Sequence, residues 1–298
     1  MAFGRKNCGV GMKQTDVFPG STKLVEARFP PSSLLLMGPS GIGKTIFCKQ
    51  FIHNGLVRGE TGIYLSTDES PERLEETMKI FGFNTDPYKE KSQFRVVDCY
   101  SWRIGGQSSS KYYVSNPADL ATVSMAIDNA RQGLTASRLV VDSMTGLMTI
   151  CSHNLTYFSK FLQIIVAKTR ATESNAIFLV SPEAHDQVFM SYLREIFDGT
   201  LEMKMEIKKD ESGEEIKRLL RLFSLKGAMH KTQWTPFEIS NSGITVKSEK
   251  ELRCVMCSRP IAWEPHSEVI EGKEYNFDSV ECANTYKRLR SLYGPNFE

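Results

Sequence analysis

The segment Gly38–Thr45 reads GPSGIGKT and matches the phosphate-loop pattern GxxxxGK[ST] at each fixed position. An apolar run precedes it and a helical pattern follows it, which is the strand–loop–helix order that a phosphate loop needs. Its glycines let the backbone turn tightly, so that N–H groups reach phosphate oxygens. We expect Lys44 to contact the β- and γ-phosphates and Thr45 to hold Mg²⁺. The predicted nucleotide-binding residues of this segment are Gly38, Pro39, Ser40, Gly41, Ile42, Gly43, Lys44 and Thr45.

Acidic residues that follow two predicted strands could complete such a site. Asp142 ends an apolar run and is a candidate second Mg²⁺ ligand that acts through water, although a helix-capping role is the alternative. Asp68 and Glu69 come just after the run 63–66, at the carboxyl ends of parallel strands where ligands bind. Hydrolysis needs a group that orients the attacking water, and these two acids are candidates. Adjacent acids before a helix can instead offset its dipole.

Cysteine spacing near the end of the chain indicates a second site, with metal-binding chemistry. Cys254 and Cys257 form a CxxC pair, and Cys282 follows them. In a reducing compartment this clustering favours a metal over a disulfide, and a tetrahedral zinc site needs a fourth ligand. Asp278 and His266 are the two candidates for that ligand. Reduced cysteines without metal are the alternative.

Between these motifs, short apolar runs alternate with helical patterns. This alternation is typical of an α/β fold with a mostly parallel sheet and helices on both faces. The parallel strands are predicted at 34–37, 62–66, 94–98, 138–142 and 176–180. Helices are predicted after the phosphate loop, from Ser70–Pro71, from 116–119 to about 132, and over about 155–173. Beyond residue 198 the pattern changes to antiparallel strands, predicted at 200–207 and 215–225, with a short pair within 237–246.

The composition of the 298-residue chain is ordinary for a globular protein, with 41% hydrophobic and 24% charged residues. The net charge of +2 gives no argument for nucleic acid as a partner. No apolar run approaches the roughly 20 residues of a membrane span. The first ten residues lack the apolar core of a signal peptide. We therefore predict a cytoplasmic protein.

The sequence resembles the KaiC-like branch of the RecA superfamily over roughly residues 30 to 246. The resemblance is carried, in order, by GPSGIGKTIFCKQFIHNGL, GIYLSTDESPERL, RLVVDSMTGLM, FDGTLEM, LFSLKGAMH and PFEISNSGI. It implies a RecA-like sheet, bound ATP and Mg²⁺, and ATP hydrolysis. In that family the strand after the phosphate loop ends in two catalytic acids, which implies this role for Asp68 and Glu69. The family usually has Glu at the first position, and the shorter Asp68 implies slow turnover.

The resemblance also implies assembly, since members of this family usually form rings, often hexamers, with nucleotide at subunit interfaces. A basic pair in a K-x-R-G segment reaches the neighbour's γ-phosphate there. The matching segment here is Ser224–Gly227, in which Lys226 supplies one positive charge in trans and Ser224 replaces the other. This departure again implies a slow ATPase. Weaker implications concern Ser240 and Asn241 at the base or ribose of the adjacent subunit, and His230 beyond the K-x-R-G segment.

The end of the chain is similar to TRASH-type, YHS-like zinc fingers, over about residues 252 to 292. Their pattern is a CxxC pair, a hairpin, and FCSxxC leading a helix. Here Phe277–Cys282 matches, with Asp278 in place of the third cysteine. The resemblance favours Zn²⁺ on Cys254, Cys257, Asp278 and Cys282, with His266 as the alternative ligand. A module of this kind could recognise a protein partner or sense a metal.

These observations predict three regions and one leading function. The regions are an N-terminal segment at 1–29, a RecA/KaiC-like ATPase domain at 30–247 and a zinc-finger-like module at 252–298. The leading hypothesis is an ATP-binding, slowly hydrolysing, ring-forming regulatory or signalling module. One alternative is a non-hydrolysing ATP-dependent switch, like single-domain relatives in the archaellum motor. The other is a RadA-like ATPase that acts on DNA, which the near-neutral charge disfavours.

Overall fold

The parallel strands and the antiparallel strands join into one continuous sheet. The computed structural model describes residues 16–26, 29–105, 107–134, 136–151, 154–210, 213–247, 253–259, 261 and 265–294. The chain divides into two compact units, Met1–Lys247 and Ser248–Glu298. Much of the predicted N-terminal segment 1–29 lies outside the described residues.

The sheet of the first unit runs in the order β10-β9-β8-β7-β1-β6-β5-β2-β3-β4 in the part of the chain that is described. Its strands are β1 Ser33–Met37, β2 Thr61–Ser66, β3 Phe94–Asp98, β4 Tyr112–Tyr113, β5 Ser137–Asp142, β6 Asn175–Val180, β7 Gly199–Asp210, β8 Gly213–Leu225, β9 Thr235–Ser240 and β10 Gly243–Val246. From β7 to β4 in this order, neighbouring strands pair in parallel. Strands β8 to β10 add antiparallel pairs at one edge. The predicted fold class is confirmed.

Helices cover both faces of this sheet. They are α1 Ser21–Leu24, α2 Lys44–Val57, α3 Pro71–Ile80, α4 Asp86–Lys89, α5 Leu120–Arg131, α6 Met144–Ile150, α7 Leu155–Ala171 and α8 Gln187–Ile196, with 3₁₀ turns at Ser101–Ile104 and Pro182–Ala184. The start of α3 is as predicted, with Pro71 at its first position and the Ser70 side chain accepting from the Arg73 N–H. Across the described residues, no helix is both long and apolar enough to cross a membrane.

Two hydrophobic cores lie on opposite faces of the sheet, because successive side chains of a strand point to opposite faces. Leu35 and Met37 of β1 belong to the core that α5, α6, α7 and α8 cover. Leu34 and Leu36 belong to the core beneath α2 and α3. Since both faces of the central strands are buried, their sequences are continuous apolar runs.

The described part of the N-terminal segment, residues 16–26, packs into the first unit. Phe18 is fully buried, with its ring centroid 5.2 Å from that of Phe29 and 5.8 Å from that of Phe47 on α2. Val25 forms an isolated antiparallel bridge with His230. The segment therefore contributes to the core beside the phosphate-loop helix.

The described residues of the second unit form a hairpin and one helix. Its elements are β11 His266–Ile270, β12 Lys273–Phe277 and α9 Val280–Tyr293. The hairpin turns at Glu271 and Gly272, as predicted, and both have positive φ. The buried side chains of its small core are Cys254, Tyr275, Phe277, Ala283 and Tyr286.

Candidate nucleotide-binding site and metal centre

The phosphate loop joins the end of β1 to the start of α2. Gly41 and Gly43 have φ of +76° and +115°, in the left-handed region where a side chain would be strained. A Cβ at Gly38 would lie 2.7 Å from the Met203 carbonyl oxygen, and one at Gly43 would lie 2.7 Å from Ile239 Cδ1. The loop therefore needs glycine both for its backbone conformation and for its close packing against the strands beside it.

Lys44 is the first residue of α2 and is only 7% exposed. Its Nζ donates to the carbonyl oxygens of Gly38 at 2.5 Å and Pro39 at 2.9 Å. Burial lowers the pKa of Lys44, while the charges of Glu183 and Asp142 oppose that shift. The ammonium group thus lies within the loop, where an anionic ligand would supply further stabilisation of its charge.

Asp142 lies at the end of β5 and is buried. The Tyr64 hydroxyl donates to its Oδ2 at 2.6 Å, and its carboxylate also accepts from Thr45. Burial raises the pKa of Asp142 to about 6, although the hydrogen bonds from Tyr64 and Thr45 act in the opposite direction. The structure therefore brings together Thr45 and Asp142, the two predicted Mg²⁺ ligands.

Tyr64 is a site residue that the sequence analysis missed. It lies in the middle of β2 and is paired in register with Val140 of β5. Strands β2 and β5 are neighbours in the sheet but not in the chain, so their contact depends on strand order. The burial pattern of β2 gives no separate signal for Tyr64, because every residue of the strand is buried.

The two adjacent acids after β2 have different surroundings. Glu69 accepts from Lys49 Nζ at 2.8 Å and 3.1 Å, and from the Thr77 hydroxyl at 3.1 Å. Asp68 is exposed, and its Oδ2 lies 3.5 Å from Ser143 Oγ. The charge of Asp68 contributes to the raised pKa of Asp142. Asp68 therefore lies toward the candidate Mg²⁺ ligands, while Glu69 is held between α2 and α3.

Lys226 and Ser240, two residues expected to act across a subunit interface, bond within their own chain. Lys226 follows β8, and its Nζ donates to the carbonyl oxygens of Glu195 at 3.1 Å and Phe197 at 2.8 Å. The side chain of Ser240 bonds Ser242 at 2.9 Å, in the turn that also holds Asn241, between β9 and β10. Lys226 thus bonds carbonyl oxygens at the C-terminal end of α8.

Gln50 holds the β9–β10 turn region beside the phosphate-loop helix. Its side chain accepts from the Ile244 N–H at 2.7 Å and donates to the Ile244 carbonyl at 3.0 Å. Ser240 and Asn241 therefore lie at a turn that is anchored to α2.

The candidate metal centre of the second unit gathers four side chains. The ligand atoms of Cys254, Cys257, Asp278 and Cys282 all lie within 4.8 Å of one another. Cys257 Sγ donates to Asp278 Oδ2 at 3.2 Å. His266, the alternative ligand, is outside this group, and its Nε2 lies 2.9 Å from Glu268 Oε1. Of the two candidates for the fourth ligand, the structure thus places Asp278 with the cysteines.

Local backbone structure positions these ligands. The turn after Cys254 is closed by the Ser258 N–H, which donates to the Cys254 carbonyl at 2.8 Å. Ser279 caps α9, and its side chain accepts from the Cys282 N–H. The cap places Asp278 and Cys282 on either side of the helix start, because one precedes it and the other lies in its first turn.

The mostly parallel sheet, with a glycine loop between β1 and α2 and a buried acid at the end of β5, defines a RecA-type phosphate-loop domain. The chain belongs to the KaiC family of ATPases, since the family described as "ATPase: KaiC" matches residues 20–251. That match ends before Cys254, so it does not include the cysteine cluster.

The chain is also similar to curated relatives and to a solved structure. A UPF0273 protein of Pyrococcus horikoshii is 31% identical over 238 residues, covering 79% of this chain and 94% of the relative. A UPF0273 protein of Thermotoga maritima is 29% identical over 231 residues, covering 76% and 93%. The crystal structure of a KaiC-like protein from Pyrococcus horikoshii OT3 has a TM-score of 0.62 at 22% identity, and the match covers 78% of this chain and 96% of that one. At this identity the structural likeness shows the fold alone.

Proposed function

We propose that this protein binds ATP·Mg²⁺ at Gly38–Thr45, hydrolyses it slowly, and assembles into a ring that serves as a regulatory or signalling module. The observation that carries the proposal is the convergence of the phosphate loop, Thr45 and buried Asp142 at the carboxyl edge of the sheet. The KaiC family match supports the ATPase class.

The residues present fit the nucleotide and its metal. The N–H groups of the loop and the positive end of α2 would bind the β- and γ-phosphates, together with Lys44. Asp142 is buried beside Thr45, and a carboxylate and a hydroxyl are oxygen ligands of the kind that Mg²⁺ prefers. Bound Mg²⁺ would neutralise negative charge on the phosphates.

Hydrolysis would proceed by attack of water on the γ-phosphorus. The new bond joins the water oxygen to phosphorus, and the bond between phosphorus and the β–γ bridging oxygen breaks. Its electron pair stays on ADP, while the water proton passes through a carboxylate to solvent. The adjacent acids Asp68 and Glu69 supply the proposed catalytic carboxylate, and Lys44 stabilises the charge that develops on the phosphate oxygens.

Slow turnover follows from three features of the chain. Asp68 is one methylene shorter than the Glu usual in this family. Ser224 lacks the positive charge of the usual finger. Lys226 must leave the carbonyl oxygens of Glu195 and Phe197 to reach a neighbour's nucleotide. Since an arginine finger contributes about 10³- to 10⁵-fold in phosphate-loop GTPases, a weakened finger lowers the rate strongly.

A second candidate function is an ATP-dependent switch with negligible hydrolysis. The bonds of Lys226 within its own chain favour it, because they leave the finger without its cation in this conformation. In that case ATP binding alone would drive assembly, and the assembly we propose is a hexameric ring.

We further propose that the second unit binds one Zn²⁺ through Cys254, Cys257, Asp278 and Cys282. Sulfur atoms bound tetrahedrally at about 2.3 Å from zinc lie roughly 3.8 Å apart. The observed grouping within 4.8 Å is close to this spacing, and cysteine and aspartate are both ligands that zinc accepts. A partner protein is the proposed target of this unit.

The proposal is tested by titrating ATP·Mg²⁺ into the full chain and measuring phosphate release, with Lys44→Ala as the matched variant. We expect nucleotide binding and a slow release of phosphate by the native chain, with both lost in the variant. Saturable binding without phosphate release would favour the switch instead. Equal phosphate release by the native chain and Lys44→Ala would overturn the assignment of the site.

A further inference from the structure

Lys49, to which the sequence analysis assigns no role, lies inside the candidate active site. It is on α2, four residues after Thr45, so that the two lie one helical turn apart on the same face. The side chain of Lys49 is only 3% exposed. A buried ammonium group needs partners, because burial removes the water that would solvate its charge.

The partners of Lys49 come from the turn after β2 and from α3. Its Nζ donates to Glu69 Oε2 at 2.8 Å and to Oε1 at 3.1 Å, and it also bonds the hydroxyl of Thr77. Thr77 Oγ1 lies 3.1 Å from Glu69 Oε2. Both carboxylate oxygens of Glu69 are therefore engaged by neighbouring side chains, and the Glu69 side chain is only 27% exposed.

The neighbouring acid remains available to a ligand. Asp68 is exposed, and its hydrogen-bond contact is a 3.5 Å approach to Ser143, the residue after the candidate Mg²⁺ ligand Asp142. A carboxylate that accepts a hydrogen bond from the attacking water needs such a free oxygen. The geometry thus separates two acids that the sequence motif presents as a pair.

We propose that Lys49 is a positioning residue for ATP hydrolysis, whose buried ammonium group holds Glu69 in an ion pair and leaves Asp68 as the carboxylate that accepts from the attacking water. This inference rests on the proposed function. The ion pair also neutralises one of two adjacent negative charges, which reduces their repulsion of the triphosphate. Glu69 then orients the turn, and Asp68 touches the water.

The test compares Asp68→Asn, Glu69→Gln, Lys49→Met and the double variant Lys49→Met/Glu69→Gln. Phosphate release and the Kd of ATP·Mg²⁺ are measured on the full chain. We expect Asp68→Asn to lower kcat about 100-fold or more with little change in Kd, since it removes a contact made in the transition state. We expect Glu69→Gln to lower kcat less than about tenfold.

The Lys49 variants test the positioning role. Lys49→Met leaves the Glu69 charge unpaired. We expect its kcat to lie about tenfold or more below that of the native chain, and below that of Glu69→Gln. The double variant removes both charges and should recover the kcat of Glu69→Gln, whereas a loss of packing alone would persist in it. Lys49→Arg, which keeps the charge, should retain more activity than Lys49→Met.

In the kinetic assay, the proposal would be overturned by loss of kcat in Glu69→Gln with activity kept in Asp68→Asn, or by a double variant no more active than Lys49→Met. Urea unfolding of the same variants gives the Lys49–Glu69 coupling from their free energies of unfolding, without any need for turnover. A lower stability of Lys49→Met is then itself part of the measurement. Additive effects in the cycle would refute the ion pair. A native chain that binds ATP·Mg²⁺ without any turnover would overturn the proposed hydrolysis and the role of Asp68. The coupling energy from the unfolding cycle would then test only the ion pair between Lys49 and Glu69.

Discussion

The two units of this chain differ in what a bound ligand would contribute to the fold. The first unit has a hydrophobic core on each face of its sheet, and its candidate site lies at the edge of that preformed structure. The second unit has a small core to which one candidate ligand, Cys254, itself belongs. A site at the edge of a large core can lose its ligand and stay folded, whereas a unit whose core includes the metal site depends on the metal.

Removing zinc should give the largest effect and sharpen this contrast. Structural zinc contributes about 10 kcal/mol or more to the folding of small zinc domains, so a strong chelator should unfold the second unit. Nuclear magnetic resonance of the full chain should then show loss of the dispersed signals of α9 and the hairpin, with the first unit unchanged. Elemental analysis should give about one zinc per chain before chelation.

Cys254→Ser is the matched variant for this test, since Cys254 is buried, and Cys151→Ser in the first unit is its control. A second unit that stays ordered without metal would contradict the contrast between the units.

Lys44→Ala tests the opposite half of the contrast. We expect loss of about 100-fold or more in phosphate release, because the ammonium group stabilises charge that develops on the phosphates. The unfolding transition of the first unit should survive the substitution, since Lys44 lies in the loop and not within either core. Calorimetry of the variant without nucleotide measures this. If Lys44→Ala lost its unfolding transition as well as nucleotide binding, the fold of the first unit would also depend on its candidate site.

Acidification should weaken Mg²⁺ binding in the first unit. Mg²⁺ requires ionised Asp142, whose pKa is raised to about 6 by burial, so its protonated form accumulates as the pH falls through that value. From pH 7 to pH 5 we expect the affinity for Mg²⁺ in the presence of ATP to fall about tenfold. Calorimetric titration at constant ionic strength measures it. An affinity unchanged down to pH 5 would remove Asp142 from the metal site.

Tyr64→Phe should give the smallest effect. The Tyr64 hydroxyl donates to Asp142, and this bond lowers the pKa of the carboxyl group against the effect of burial. Without it the pKa should rise, and the pH at which Mg²⁺ affinity is half lost should move upward by up to about one unit. The same calorimetric series detects the shift. A midpoint that moves downward would contradict the hydrogen-bond assignment.

Much of the fold follows from local sequence patterns. The parallel strands are continuous apolar runs, because both of their faces are buried, and the cap at Ser70–Pro71 marks the start of α3. The predicted helices do not include the four-residue helices α1 and α4, nor the longer helices α6 and α8. Helix α6 has only 7 residues and begins two residues after Asp142. Helix α8 begins in the polar segment after β6, with Asp186 as its cap.

The chemistry of the site was less predictable than its location. The phosphate loop and Asp142 carry their own motifs, whereas Tyr64 and Lys49 act through contacts between elements that are distant in sequence. No local pattern distinguishes Asp68 from Glu69, because the difference arises from a lysine on another helix. Contacts of Lys226 with a neighbouring subunit would depend on a second chain, which a single sequence does not describe.

The central claim is that ATP·Mg²⁺ binds at Gly38–Thr45 and drives assembly with slow turnover. The most direct test is sedimentation velocity with and without ATP·Mg²⁺, with phosphate release measured on the same samples. We expect the native chain to form a ring-sized oligomer in the presence of ATP·Mg²⁺ and to release phosphate slowly, and Lys44→Ala to do neither. A sedimentation coefficient that does not change when ATP·Mg²⁺ is added, with no phosphate released above the Lys44→Ala background, would contradict the account.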